Sequence, residues 1–243
     1  MQINLEAREL TLKIVYYGPA LSGKTSNISA LNRASNDDSA GRLITLETKD
    51  DRTLLYDLLP LTYKDTGNFT VRVKVFTVPG QVLHASTRKL LLQGADGLVF
   101  VADSQVRETQ HNADAFLELR EFLKSNGLNL SEMPLVIQFN KRDLPEIRSD
   151  SEIHQTSSHG QEPVFMSTAN NGAGVVETFL GCLYLTMGAI EKTHGLKEKF
   201  GLDRVRFVED TARRLGMARP LAQIFDECVS GAFNTLTPGD LER

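Results

Sequence analysis

The stretch Lys13-Ile-Val-Tyr-Tyr-Gly18-Pro-Ala-Leu-Ser-Gly23-Lys24-Thr25 runs from an apolar segment of strand length through a glycine-bracketed turn into a helical pattern. Strand, Gly-x4-Gly-Lys-Thr, then helix is the context in which a short glycine motif becomes a phosphate-binding loop. Gly18 and Gly23 let the backbone turn so that its N–H groups and the positive end of the following helix point at an anion. Lys24 can neutralise β and γ oxygens, Thr25 can ligate Mg²⁺, and Ala20, Leu21 and Ser22 complete the loop. A chance glycine-rich turn would lack both flanking elements.

Outward from this loop, apolar runs of strand length alternate with helix-length amphipathic segments, the pattern of βαβ units and a mainly parallel sheet. The expected strands are Leu12–Tyr17, Arg42–Leu46, Phe69–Val78, Gly97–Ala102, Leu135–Asn140 and Val164–Ser167, and the expected helices Lys24–Arg33, Glu108–Lys124 and Val175–Glu191. The fold class is therefore α/β: a three-layer P-loop NTPase with a six-stranded, mostly parallel sheet. Val71, Val73 and Val75 alternate with Arg72 and Lys74, which reads as a strand near a sheet edge. Arg148 to Gln161 is polar and reads as a surface loop or short helix; His154 and His159 within it have no metal-ligand spacing.

Composition narrows the class further. The 243 residues are 41% hydrophobic and 24% charged, enough for a sizeable core, and a net charge of −4 gives no reason to expect nucleic-acid or anionic-lipid binding. No apolar run approaches the roughly 18 to 20 residues of a spanning helix, and no secretory signal or lipidation motif is present, so a cytoplasmic chain without an integral membrane segment is expected. Cys182 and Cys228 both sit in apolar helical patterns and read as core residues rather than as a disulfide.

A phosphate loop does not choose the base. Asn140-Lys-Arg-Asp143, at the end of the fifth expected strand, resembles the NKxD motif of GTPases. A carboxylate at Asp143 can accept from N1–H and the exocyclic amine of guanine, whereas adenine offers neither donor there. Lys141 can lay its stem along the base, and Asn140 can tie this loop to the phosphate loop. Ser167-Thr168-Ala169-Asn170 loosely resembles the SAK loop of Ras-like proteins, where the Ala169 N–H would contact the guanine oxygen. Thr77-Val-Pro-Gly80-Gln81 stands where Ras-like proteins carry DxxGQ, with Gly80 able to bond the γ-phosphate and Gln81 able to orient water.

Together with Lys13 to Thr25, the segments Leu46 to Pro60, Val78 to Val82, Val99 to Gln105 and Ile137 to Pro145 resemble the MglA-type bacterial Ras-like small GTPases over about residues 5 to 190. The resemblance implies a Ras-like GTP-binding domain over residues 1–195, leaving 196–243 as a helical C-terminal extension. It implies GTP and GDP as ligands with Mg²⁺ held by Thr25 and Thr53, and GTP hydrolysis that is slow without an activating partner. It also implies catalysis by Gln81 and a self-supplied Arg52, a roadblock-type activator resembling MglB, effectors in cell polarity or motility, and recruitment to a membrane or cell pole through partners. Thr53 would bond the γ-phosphate only in the triphosphate state. From spacing alone, Arg52 also reads as a surface arginine beside Asp50 and Asp51.

Two departures stand out. Thr77 replaces the usual aspartate of the DxxGQ motif, although MglA-type chains share the TxPGQ form, and Ala20 replaces the family's second phosphate-loop glycine, which predicts slower hydrolysis. A GTP-binding scaffold with negligible turnover and, more remotely, an ATP-using P-loop enzyme are the rival readings. In the extension, Pro220 to Phe233 carries an apolar stripe of Leu221, Ile224, Phe225, Cys228, Val229 and Ala232, an amphipathic helix that docks either on its own domain or on a partner.

Overall fold

The computed structural model describes residues 1–4, 6–35, 44–46, 56–64, 69–78, 85–158, 160, 162–217, 219–226 and 228. In chain order the strands and helices are β1 (Gln2–Asn4), β2 (Glu9–Tyr17), α1 (Lys24–Ala34), β3 (Ile44–Leu46), β4 (Tyr56–Lys64), β5 (Thr70–Thr77), α2 (Ala85–Leu92), β6 (Gly97–Asp103), α3 (Thr109–Ser125), β7 (Leu135–Asn140), α4 (Asp150–Ser157), β8 (Val164–Met166), α5 (Val175–His194), α6 (Leu196–Phe200), α7 (Arg204–Arg214) and α8 (Leu221–Asp226). All six expected strands and all three expected helices are present. β1 and β4 are additional, as are the helices α2, α6 and α7, while the polar stretch after Arg148 forms α4. Its start is fixed by a capping box between Ser149 and Glu152.

The strands form one sheet in the order β3-β4-β5-β2-β6-β7-β8. β2, β5, β6, β7 and β8 pair in parallel, while β4 pairs antiparallel with both β3 and β5. β1 lies antiparallel along Glu9 to Thr11 of β2, on the side that β6 takes over from Ile14 onward. The expectation that Val71 to Val75 run near an edge is corrected: β5 is bonded on both sides, to β4 and β2. Alternation here reports cover on one face. Val71, Val73 and Val75 are fully buried in the core shared with α1 and α5, whereas Arg72 points outward and pairs with Glu9 of the neighbouring strand at 2.8 Å.

Two apolar layers flank the sheet. On one face Leu12, Ile14, Val73, Val99 and Val136 pack with Ile28 and Leu31 of α1 and with Phe179, Leu180 and Leu183 of α5. On the other, Val15, Tyr17, Leu98 and Phe100 pack with Leu91 and Leu92 of α2 and with Leu119 and Leu123 of α3. Burial of such side chains contributes roughly 1.5–3 kcal/mol each. Cys182 is buried in the first layer and Cys228 is partly buried; neither is disulfide-bonded. No helix among the described residues is long and apolar enough to cross a membrane.

The helices after Gly195 extend the α5 layer. Phe207 meets Tyr63 of β4 edge-on at 5.9 Å, Phe200 meets Phe69 at 5.4 Å, and Phe225 meets Tyr184 at 5.1 Å. The Arg204 guanidinium stacks 4.1 Å over Tyr184, and Arg219 pairs with Glu177 at 2.9 Å. Leu221, Ile224 and Phe225 of the expected C-terminal stripe are buried in this core; Val229 and Ala232 lie outside the described residues. α7 is capped by Asp203, whose carboxylate accepts from the Arg206 N–H at 3.1 Å and pairs with Lys197 at 2.7 Å. Burial alone would raise this carboxyl, but Lys197 and the backbone donors outweigh it and hold it below the ordinary aspartate value. A folded-state value below the unfolded one means stability that is present above the unfolded value and lost as pH falls through the depressed one. Asp203→Ala is therefore expected to lower stability by about 1 kcal/mol at neutral pH. In denaturant titrations at several pH values, its difference from wild type should shrink on acidification.

Candidate functional site

β2 ends at Tyr17 and the chain turns sharply into α1 because only glycine fits at two points. A Cβ on Gly18 would lie 2.2 Å from the Val101 carbonyl oxygen, and one on Gly23 would lie 2.2 Å from Asn140 Nδ2. Leu21 takes a left-handed φ of 60° and is 88% exposed, while Ser22 is fully buried and Ala20 and Thr25 are exposed. Among the described residues no side chain caps the N-terminus of α1. Its first N–H groups and its positive dipole end thus face the loop, the arrangement that binds phosphate elsewhere.

Lys24 is only 6% exposed, and its Nζ donates to the carbonyl oxygens of Gly18 at 3.0 Å and Pro19 at 2.6 Å. Burial, with the charges of Arg88 and Lys141 nearby, pushes this ammonium down to about 8. A buried cation held by neutral acceptors beside two further cations is an electrostatic setting that favours an anion. Arg88 itself is anchored to Glu118 of α3 at 2.5 Å, and the same carboxylate accepts from the Tyr17 hydroxyl. The start of α2 is thereby tied to both α3 and β2.

Asn140, 2% exposed, joins three loops. Its Nδ2 donates to the Ser22 carbonyl at 2.8 Å, and its Oδ1 accepts from Ser167 Oγ and from the Ala169 N–H, both at 3.0 Å. Two residues earlier in β7, Gln138 donates to Asn27 of α1 and Thr178 of α5, both at 2.9 Å, which fixes the helix behind the phosphate loop. In front of Asn140 lies a cavity of about 160 Å³ lined by Leu21, Gly23, Lys141, Asp143 and Ala169, together with Ser26, Leu144 and Asn170. Asp143 is exposed at its mouth, and Thr168 stands just behind, its N–H bonded to the Ala173 carbonyl. Of the residues expected from sequence, Leu21 and Gly23 of the phosphate loop thus share one space with Asn140, Lys141, Asp143 and Ala169. Ser26 had no motif to announce it, and Leu144, Asn170 and Asp103, whose carboxylate pairs with Lys141 at 2.6 Å, stood in quoted segments without an assigned role.

Arg52, Thr53, Gly80 and Gln81 lie outside the described residues. The nearest described strands in sequence are β4, which begins at Tyr56, and β5, which ends at Thr77 and is the parallel neighbour of β2. Thr77 is 3% exposed, so the position of the usual aspartate is a buried one here. A larger cavity of about 470 Å³ lies between α3 and α4, but its lining is mainly apolar, including Phe100, Phe116, Ile137 and Phe139, and it has no phosphate-binding loop.

The sheet order, the loop into α1 and the Asn140 junction define a Ras-like G domain. The ADP-ribosylation factor family model matches residues 3–180, and the chain belongs to this family of small GTPases. It is also similar to the mutual gliding-motility protein MglA of Myxococcus xanthus (strain DK1622), at 40% identity over 190 residues, 78% of this chain and 97% of that protein. That supports the MglA type within the family.

Proposed function

We propose that the protein is a switch that binds GTP and GDP, hydrolyses GTP slowly by itself and faster with a roadblock-type activator resembling MglB, and acts in bacterial cell polarity or gliding motility. The observation that carries the reading is the Asn140 side chain, which closes a base-sized cavity against the loop holding buried Lys24. Asp143 would accept from the guanine edge, the Ala169 N–H would face its oxygen with Thr168 behind, and Lys141 would lie along the ring. The phosphates would meet Lys24, the N–H groups of Ala20 to Thr25, and Gly80.

The residues present fit Mg²⁺. That ion prefers a few protein oxygens, several waters and the phosphates themselves, and the described residues show an exposed Thr25 beside Lys24 with no cluster of carboxylates. Thr25 and Thr53 would hold it, and when bound it supplies charge neutralisation on the β and γ oxygens. Gln81 would orient the attacking water, and Arg52 would meet charge developing on the transferred phosphoryl group. Effectors would read residues 47–60 and 77–90, and any membrane or pole recruitment would run through them.

The test is to identify the nucleotide extracted from the purified protein and to compete bound mant-GDP with GTP and with ATP. Displacement by GTP at concentrations where ATP is ineffective is the expected result; equal displacement would remove the guanine assignment. Buried Thr77 in place of an aspartate favours a second reading, a GTP-binding scaffold without turnover. Single-turnover hydrolysis separates the two, and Ala20→Gly is expected to raise the rate severalfold with and without activator.

A further inference from the structure

The apolar groove between α3 and α4 has no feature that selects an occupant. The buried carboxylate beside the base cavity does have one. Asp103 is the last residue of β6, 4% exposed, and stands directly across from Asn140 in the parallel β6–β7 pairing. Its Oδ1 accepts from the Gln105 N–H at 3.0 Å, and its Oδ2 receives Lys141 Nζ at 2.6 Å. Its main chain is gripped by Asn112 of α3, whose amide accepts from the Asp103 N–H at 2.9 Å and donates to the Asp103 carbonyl at 2.8 Å. The main chain of Asp103 is therefore held by α3, and its carboxylate by the turn at Gln105 and by Lys141.

Lys141 is the partner with the long side chain. It follows Asn140 with a left-handed φ of 66°, unusual for a residue with a Cβ, and it lines the base cavity together with Leu21. A free lysine in that place would sample many rotamers, and freezing them on ligand binding would weaken the complex. Building on the guanine reading above, we propose that Asp103 is a positioning residue for the nucleotide, its immobilised carboxylate anchoring the Lys141 ammonium so that the lysine stem stands ready as one wall of the base site. The carboxylate touches no nucleotide atom itself. It acts through Lys141 by preorganisation, and its loss appears as faster nucleotide release.

Release of mant-GDP into excess GDP, measured on the full chain, tests this with wild type, Asp103→Asn, Lys141→Met and the double variant. The amide oxygen introduced by Asp103→Asn still accepts from the Gln105 N–H, while the charge and the acceptor that faces Lys141 are both withdrawn. Each single substitution is expected to speed release about tenfold, with association little changed and the double no faster than the faster single. A carboxylate that merely supports the fold would lower the melting temperature of Asp103→Asn and leave release from the folded protein unchanged, which overturns the proposal. Singles that multiply in the double variant overturn it as well. Wild-type protein that does not bind mant-GDP would remove the guanine reading and this inference together, whereas tight wild-type binding with unaltered release from Asp103→Asn removes this inference alone.

Discussion

Arg52→Ala is expected to slow single-turnover GTP hydrolysis, measured with Mg²⁺ and a roadblock-type activator, by on the order of 10³ to 10⁵. GTP affinity should change only a few-fold, because the guanidinium is needed for charge that develops during transfer rather than for the bound ground state. Arg52 belongs to a stretch whose C-terminal anchor is firm: β4, starting at Tyr56, is bonded to β3 on one side and β5 on the other. Gln81→Ala should produce a loss of similar size, since Gln81 is the residue proposed to orient the attacking water. Rapid hydrolysis that survives Arg52→Ala would mean that the activator provides the cation. Tight GTP binding without turnover in wild type would favour the scaffold and turn attention to Ala20 and Thr77.

Asn140→Ala is expected to weaken GDP and GTP binding equally, by about a hundredfold or more. The side chain satisfies the Ser22 carbonyl, the Ser167 hydroxyl and the Ala169 N–H simultaneously. Each buried group left without a partner costs about 1–3 kcal/mol, and the three loops lose their common node. Equilibrium titration with mant-GDP and mant-GTP, alongside circular dichroism to verify the fold, would measure this. A loss confined to GTP would contradict the assignment, because the proposed reading puts Asn140 on the base side of the site, away from the γ-phosphate.

Much of this was legible in the chain because the residues involved serve one purpose each. Gly18, Gly23 and Lys24 are spaced for a phosphate and flanked by a run that must be a buried strand, and Asn140 ends another such run. β4 was harder to read. Pro60 in its middle signals a break, yet it lies beyond Leu58, where pairing with β3 ends, so that edge of the strand tolerates a residue lacking an N–H. β5 misled in the opposite sense: Arg72 and Lys74 suggested an edge, but the polar face belongs to a central strand whose outward side meets the α2–α3 layer only near its end, at Phe76. Asp103 was invisible because its meaning lies in pairing across the sheet with Asn140 and Lys141, residues far away in the chain. α6 and α7 are short and charge-rich, and only the aromatic contacts of Phe200 and Phe207 reveal where they belong.

Those contacts bear on how the protein should be handled. A recombinant chain stopped at Gly195, where α5 ends, would strip the cover from Tyr63, Phe69 and Tyr184, three buried rings on one face. Rings of this size that meet water as a contiguous patch invite self-association. The shortest well-behaved form of this G domain is consequently one that keeps its tail through Phe225.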